Sequence, residues 1–208
     1  MIIRMLSIIS GLAIIGFVLW GPIVSNVEQT KYKVVESHDT IEIRDYDAMI
    51  VAETEVAGSR DEAISQGFRQ IADYIFGNNV SQQKVAMTAP VMQGQSEKVA
   101  MTAPVTQQSD DGLWKVRFVM PEAYKIETLP KPKNAAVKLK EIPEKRFAVI
   151  RFSGLAGEKS LKERTTELQS FIKSKNLHPV SSPTYAFFNP PWTLPFLRRN
   201  EVMIEIKG

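Results

Sequence analysis

A stripe of large aliphatic side chains recurs along this chain at a fixed offset. Adding 97 to Ile64, Ile71 and Ile75 gives Leu161, Leu168 and Ile172. With Phe68, the first set has the i, i+4, i+7, i+11 spacing of one buried helix face. Each helix also follows a similar prelude. Residues 41–46 and 49–56 alternate as strands, and a turn at 58–61 leads into the first helix. Asp61 marks that helix's start, while Gly77 and Asn78 mark its stop. In the second half, residues 147–152 form a strand and 154–157 the turn before the next helix. Residues 114–120 and 202–206 alternate well enough to be further strands. Two strand-strand-helix units must bury both helical stripes, which predicts an α+β fold with the helices covering a sheet that curls around.

Between the units stands an exact repeat. Lys-Val-Ala-Met-Thr-Ala-Pro-Val occurs at residues 84–91 and again at 98–105. At period two, Val85, Met87, Ala89 and Val91 share a face, as do Val99, Met101, Ala103 and Val105. A loop of Gly94, Gln95 and Ser96 would pair the copies in a register that keeps both apolar faces together, Val91 opposite Val99. Pro90 and Pro104 lack the donor of a central ladder, so they predict an edge, a bulge or a strand end. The thioethers of Met87 and Met101 suit core filling or the wall of a pocket for a flat ligand.

Ahead of the symmetric region, residues 5–24 carry no charge. Twenty residues at about 1.5 Å each cross a hydrocarbon layer of about 30 Å, and Trp20 stands near the far end, where indoles favour the interface. The favoured reading is an uncleaved N-terminal transmembrane helix spanning once, with the domain exported to a periplasmic or extracytoplasmic space. A cleaved signal headed by Arg4 and a buried core helix are the alternatives. The organisation is then residues 1–27 as anchor or signal and 31–208 as one domain. With no cysteine, disulfides and a lipidated cysteine are excluded. A net charge of only +3 argues against a nucleic-acid partner. The basic stretch Lys131, Lys133, Lys138, Lys140, Lys145 and Arg146, interleaved with prolines, reads as a solvated connector.

Catalytic motifs are scarce. There are two histidines, His38 and His178, both in turn-like segments, and no nucleophile elbow, zinc-protease motif or phosphate loop. Glu53 and Glu55 share a strand face and read as solvated carboxylates, with general acid/base work as the alternative. Tyr185, Phe187, Phe188, Trp192 and Phe196 crowd a segment stiffened by Pro190, Pro191 and Pro195. They predict a lid, over either the core or a ligand.

Three stretches in order carry a family likeness: residues 41–46 (Ile-Glu-Ile-Arg-Asp-Tyr), the Met-Thr-Ala-Pro-Val segments, and Asn189-Pro190-Pro191-Trp192 followed by residues 198–202 (Arg-Arg-Asn-Glu-Val). Over residues 32–208 the chain resembles the SOUL haem-binding protein family. The resemblance implies a distorted antiparallel β-barrel of two pseudo-symmetric strand-helix halves with two flanking helices. It also implies non-catalytic binding of haem or another porphyrin on a hydrophobic surface near the first helix. The contacts expected there are Ile64, Phe68, Ile71, Met87, Met101 and Trp192, with Arg69 or Lys84 for the propionates because Ser65 stands where a basic residue is expected. Asp45 occupies the position at which some relatives carry a histidine, which leaves the axial ligand unassigned. Arg198 and Arg199 are expected to pair with Glu201 or Glu205. A binding module for other flat or amphipathic small molecules is the first alternative, and a carboxylate-based hydrolase using Glu53 or Glu55 the second.

Overall fold

The computed structural model describes residues 27–82, 96–110 and 112–208. The span predicted over residues 5–24, the first octamer with Met87, and the loop proposed to join the octamers at Gly94 and Gln95 lie outside the described residues. No helix among the described residues is long and apolar enough to cross a membrane.

The first unit contains β3 (Ile41–Tyr46), β4 (Met49–Ala57), α1 (Arg60–Ile75), β7 (Val105–Asp110) and β8 (Leu113–Val119). The second contains β10 (Lys138–Ile142), β11 (Lys145–Phe152), α2 (Glu158–Ser174), β12 (Thr184–Phe187) and β13 (Asn200–Glu205). With β2 (Tyr32–His38), these strands form one nine-stranded antiparallel sheet in the order β10-β4-β8-β7-β12-β13-β11-β3-β2. Outward from its centre the order is β7-β8-β4-β10 one way and β12-β13-β11-β3 the other. That is a pseudo-twofold in which each unit lends its first strand to the other's edge.

The exchange forces curvature. Tyr46 and Met49 are three Cα steps apart, at most about 11 Å. In the sheet order β3 is eighth and β4 second, so a flat sheet would separate them by about 29 Å. The equally short link from Ile142 to Lys145 joins the first and seventh strands. Both links can close only if the sheet rolls up. Its edges β10 and β2 do not pair with one another, so the result is a curled half-barrel. The stretch read as a solvated connector is in fact structured: it holds β9 (Lys131–Pro132), which pairs with β5 (Asn79–Val80), all of β10, and the start of β11. Lys138 and Lys140 are spaced by two because both stand on β10.

Alternate strand positions then define two faces. Ile43, Ala148, Ile150, Val202 and Ile204 bury against Leu161, Leu168 and Ile172 of α2, the stripe the periodicity predicts. Ala52, Val116 and Phe118 bury against Ile71, Tyr74 and Ile75 of α1. A fully buried aliphatic chain of this kind contributes about 1.5–3 kcal/mol. On the concave face, Tyr46, Val149, Ala186 and Met203 form a third cluster.

The concave face also buries charge. Glu53 is buried and accepts from Arg117 Nε and Lys140 Nζ, each at 2.5 Å. Glu201, fully buried, accepts from Arg44 Nη1 at 2.9 Å and Arg199 Nε at 2.9 Å. The solvated reading of Glu53 is therefore wrong, because cross-strand cations reach it; Glu55 alone is exposed. Each cluster ties an exchanged strand, β10 or β3, to its host. Arg199 takes the predicted ion pair with Glu201, whereas Arg198 turns instead to backbone carbonyls of Thr193 and Pro191.

Candidate functional site

Helix α1 departs from its expected face. Ser59 rather than Asp61 caps it, in a capping box in which Glu62 Oε2 accepts from the Ser59 amide at 3.3 Å and also from the Ser59 hydroxyl at 2.7 Å. Its buried residues are Ala63, Gly67, Ile71, Tyr74 and Ile75. At Gly67 a Cβ would stand 2.6 Å from Val116 Cγ2, so the helix sits on β8 through a contact that only glycine allows. The helix is thereby turned, and two of its larger apolar residues come up toward the surface. Ile64 is half-buried, while Phe68 is 40% exposed and rests its ring 5.3 Å from Phe118.

Arg60, Ile64 and Phe68 are spaced by four and make one ridge about 12 Å long. At its head the Arg60 guanidinium is partly buried. Nη2 donates to the buried Gln107 at 3.1 Å, and Cζ lies 5.7 Å from the Tyr185 ring centroid and 5.8 Å from that of Phe187. Burial draws its pKa down, against opposing pulls from Asp61 and Tyr185, yet a guanidinium stays charged. Its Nε is buried without a hydrogen-bond partner. Sequence reading missed Arg60. The signal was a cation in the first turn of a helix, where the macrodipole favours anions.

The second octamer flanks the same helix. The Val99 amide donates to the Ile75 carbonyl at 3.0 Å, and Thr102 Oγ1 donates to the Val119 carbonyl. Between them Met101 is 40% exposed, so it is not core packing. The single apolar face predicted for this copy breaks up. Thr102–Ala103 forms β6, paired in parallel with β1 (Glu28–Gln29), and Pro104 separates β6 from β7. Asn79, fully buried, clamps the base of this region. Its amide donates to the carbonyls of Tyr74 (2.8 Å) and Glu97 (2.7 Å), and it accepts the Glu97 amide (3.0 Å).

The predicted contacts thus separate. Ile64, Phe68 and Arg69 lie on the outer side of α1, with Arg69 exposed, and Met101 is exposed on the segment that Val99 ties to Ile75 at the helix's C-terminal end. Ile71 does not belong with them: it is fully buried against the sheet, because the turn of the helix set by Gly67 points it inward. Trp192 is carried on the loop between β12 and β13, which is tied to Gly154 in the second unit. That loop is no core lid, since Trp192 and Phe196 are 53% and 69% exposed; only Phe188 of the aromatic group is buried.

Neither histidine reaches α1. His38 contacts Glu36 at 3.1 Å and packs its ring 5.2 Å from Phe171 of α2, and the His178 carbonyl accepts from Lys207. Asp45 is engaged by Arg146 through two hydrogen bonds of 2.6 and 2.8 Å, which hold its carboxyl below the usual range. Among the described residues no group of three or more His, Asp or Glu side chains is placed to hold a metal.

A separate cleft of about 550 Å³ opens where the strand links meet. Met49, Ile50, Val119 and Ile142 line it together with Glu28, Asp47, Glu122, Glu141 and Lys31. Its lining carries more carboxylates than cations.

A curled half-barrel of two pseudo-symmetric strand-helix units defines a class of α+β domain. The SOUL heme-binding protein model matches residues 27–205, and the chain belongs to that family. Among solved structures, the C-terminal domain of EcmrR superposes with a TM-score of 0.58 at 9% identity, covering 85% of this chain and 98% of that one. A structure described as a hydrolase from Listeria innocua gives 0.56 at 12% identity, covering 83% and 94%. At such identities the likeness is one of fold. No curated protein matches in sequence.

Proposed function

We propose that this chain is a membrane-tethered, non-catalytic tetrapyrrole-binding protein whose macrocycle lies on the outer side of α1. The observation that carries this reading is the Arg60–Ile64–Phe68 ridge, which puts an under-satisfied guanidinium at one end of an exposed apolar surface. Haem has the matching shape, a flat apolar ring with carboxylates along one edge. Ile64, Phe68 and Met101 would cover the ring, and Arg60, helped by Arg69, would take the propionates. Apolar burial at about 25 cal/mol per Å² supplies the affinity, and the cations set the orientation. Neither histidine reaches α1, so affinity rests mainly on the ring and its propionates. The family membership supports haem as the ligand class.

Titration of the purified chain with haem tests this. A shifted Soret band that Arg60→Ala and Phe68→Ala each weaken about tenfold, roughly 1.4 kcal/mol, is the expected result. Unchanged affinity in both variants sinks the assignment.

The acid-lined cleft favours a second reading, a flat cationic molecule at the strand links, since its carboxylates repel propionates. Competition separates the two: a cation bound there leaves the haem titration unchanged.

A further inference from the structure

Exposed large apolar side chains gather at one end of the molecule. Leu155 (65% exposed) lies on the loop from β11 to α2, and Trp192, Phe196 and Leu197 on the loop from β12 to β13. The two loops are joined, because the Gly154 amide donates to the Pro195 carbonyl at 2.9 Å and Asn200 Nδ2 to the Gly154 carbonyl at 3.1 Å. Arg198 closes the second loop from within by donating to the carbonyls of Thr193 and Pro191. Pro190, Pro191 and Pro195 fix their own φ angles. The rings are thus held outward on a stiff support, and none of the described residues covers them.

The same end receives the N-terminal chain. Arg199, next after this loop, donates to Gln29 Oε1 at 3.0 Å and to the Tyr32 hydroxyl at 3.2 Å, and the Thr30 amide donates to the Ala103 carbonyl at 3.2 Å. The uncharged run of residues 5–24 ends only three Cα steps before Val27, a reach of at most about 11 Å. A bilayer holding that run must therefore lie against this end of the domain.

We infer that Leu155, Trp192, Phe196 and Leu197 form a lipid-docking surface that seats the domain on the bilayer carrying its N-terminal segment. The inference rests on the membrane tether of the proposed function. An indole with neighbouring leucine and phenylalanine side chains suits the boundary between headgroups and acyl chains. Docking from this end fixes the domain's orientation. It leaves the far hairpin between β7 and β8, with Trp114 beside it, pointing away from the lipid.

The test uses the full chain reconstituted in phosphatidylcholine–phosphatidylglycerol vesicles whose acyl chains carry bromine. With Trp20→Phe and Trp114→Phe, Trp192 alone emits, and bromine should quench about half of its emission. With Trp20→Phe and Trp192→Phe, Trp114 should keep its emission. As a second measurement, the chain has no cysteine, so a spin label on Phe196→Cys reports depth directly and should be more accessible to oxygen than to a soluble nickel complex. Co-flotation with the vesicles but an unquenched Trp192 and a water-exposed label overturns the docking surface while the tether stands. Failure to co-float overturns both.

Discussion

The two halves of this protein share a topology and differ in how their helices meet the sheet. In the second half Leu161, Leu168 and Ile172 all bury, and α2 does what its periodicity says. In the first half Ile71 and Ile75 bury, but Ala63 and Gly67 take the remaining inward positions, leaving Ile64 at the margin and Phe68 at the surface. The position equivalent to Gly67 is Arg164, whose side chain pairs with Glu167 and stands over Phe152. One half invests its large apolar residues in stability. The other withholds two of them and sets Arg60 at their head, and this is where the proposed ligand surface lies.

The buried charges give the sharpest way to break the comparison. Glu201→Gln leaves two cations facing a neutral amide in a fully buried setting, and should cost about 3–5 kcal/mol. Glu53→Gln should cost only about 1–2 kcal/mol, because Lys140 and Arg117 reach water and rehydrate. Urea unfolding of both variants checks the order, and equal losses would dissolve the distinction between the halves. The helices come next. Leu168→Ala should cost about 2–5 kcal/mol and leave haem binding intact. Phe68→Ala should cost less stability while weakening haem binding, and the reverse pattern would exchange the roles assigned to α1 and α2.

Smaller effects follow. Gly67→Ala drives a methyl into Val116 and should cost about 1–3 kcal/mol, against no more than about 0.5 for the surface change Arg164→Ala. The mildest probe is acid. Burial pushes the Glu53 carboxyl up, but hydrogen bonds from Lys140 and Arg117, with their charges, outweigh it and hold its pKa below the ordinary 4.5. The folded state then binds this proton less readily than the unfolded one. Glu53 therefore contributes stability that is fully present above about pH 4.5 and is lost as pH falls through its lowered pKa. Unfolding midpoints measured down that range should decline less in Glu53→Gln than in the parent.

Much of the fold can be read from local pattern. The strand at Ile41–Tyr46 has its predicted limits, the Met49–Ala57 strand is off by one residue, and α2's stripe is correct. Alternation and 3.6-residue spacing are properties of neighbours in sequence, and neighbours in sequence share an element's face. The site was legible only in part. Phe68, Ile64, Arg69 and Met101 are left at least partly exposed, whereas Ile71 is buried, because the rotation of a helix on its sheet depends on which partner gives way. Here Gly67 lets Val116 in, a contact 49 residues apart in the chain. Glu53 looked solvated for a related reason: the lysine that neutralises it stands on a strand 87 residues away.

The amino-acid sequence alone determined two repeated units, the type of their elements, the stripe on each helix and the family, since each rests on spacing within a few turns or on ordered motifs. Only the tertiary structure decided that β3 and β10 change places, which rolls the sheet and meets Glu53 and Glu201 with cations from distant strands. It also decided that Arg60 heads an apolar ridge, and that Leu155 and Phe196 share the end where the N-terminal chain enters. These outcomes depend on strand pairing and helix rotation between segments far apart in the chain. Such contacts are chosen by what packs and neutralises best across the whole molecule, and local spacing carries no record of them.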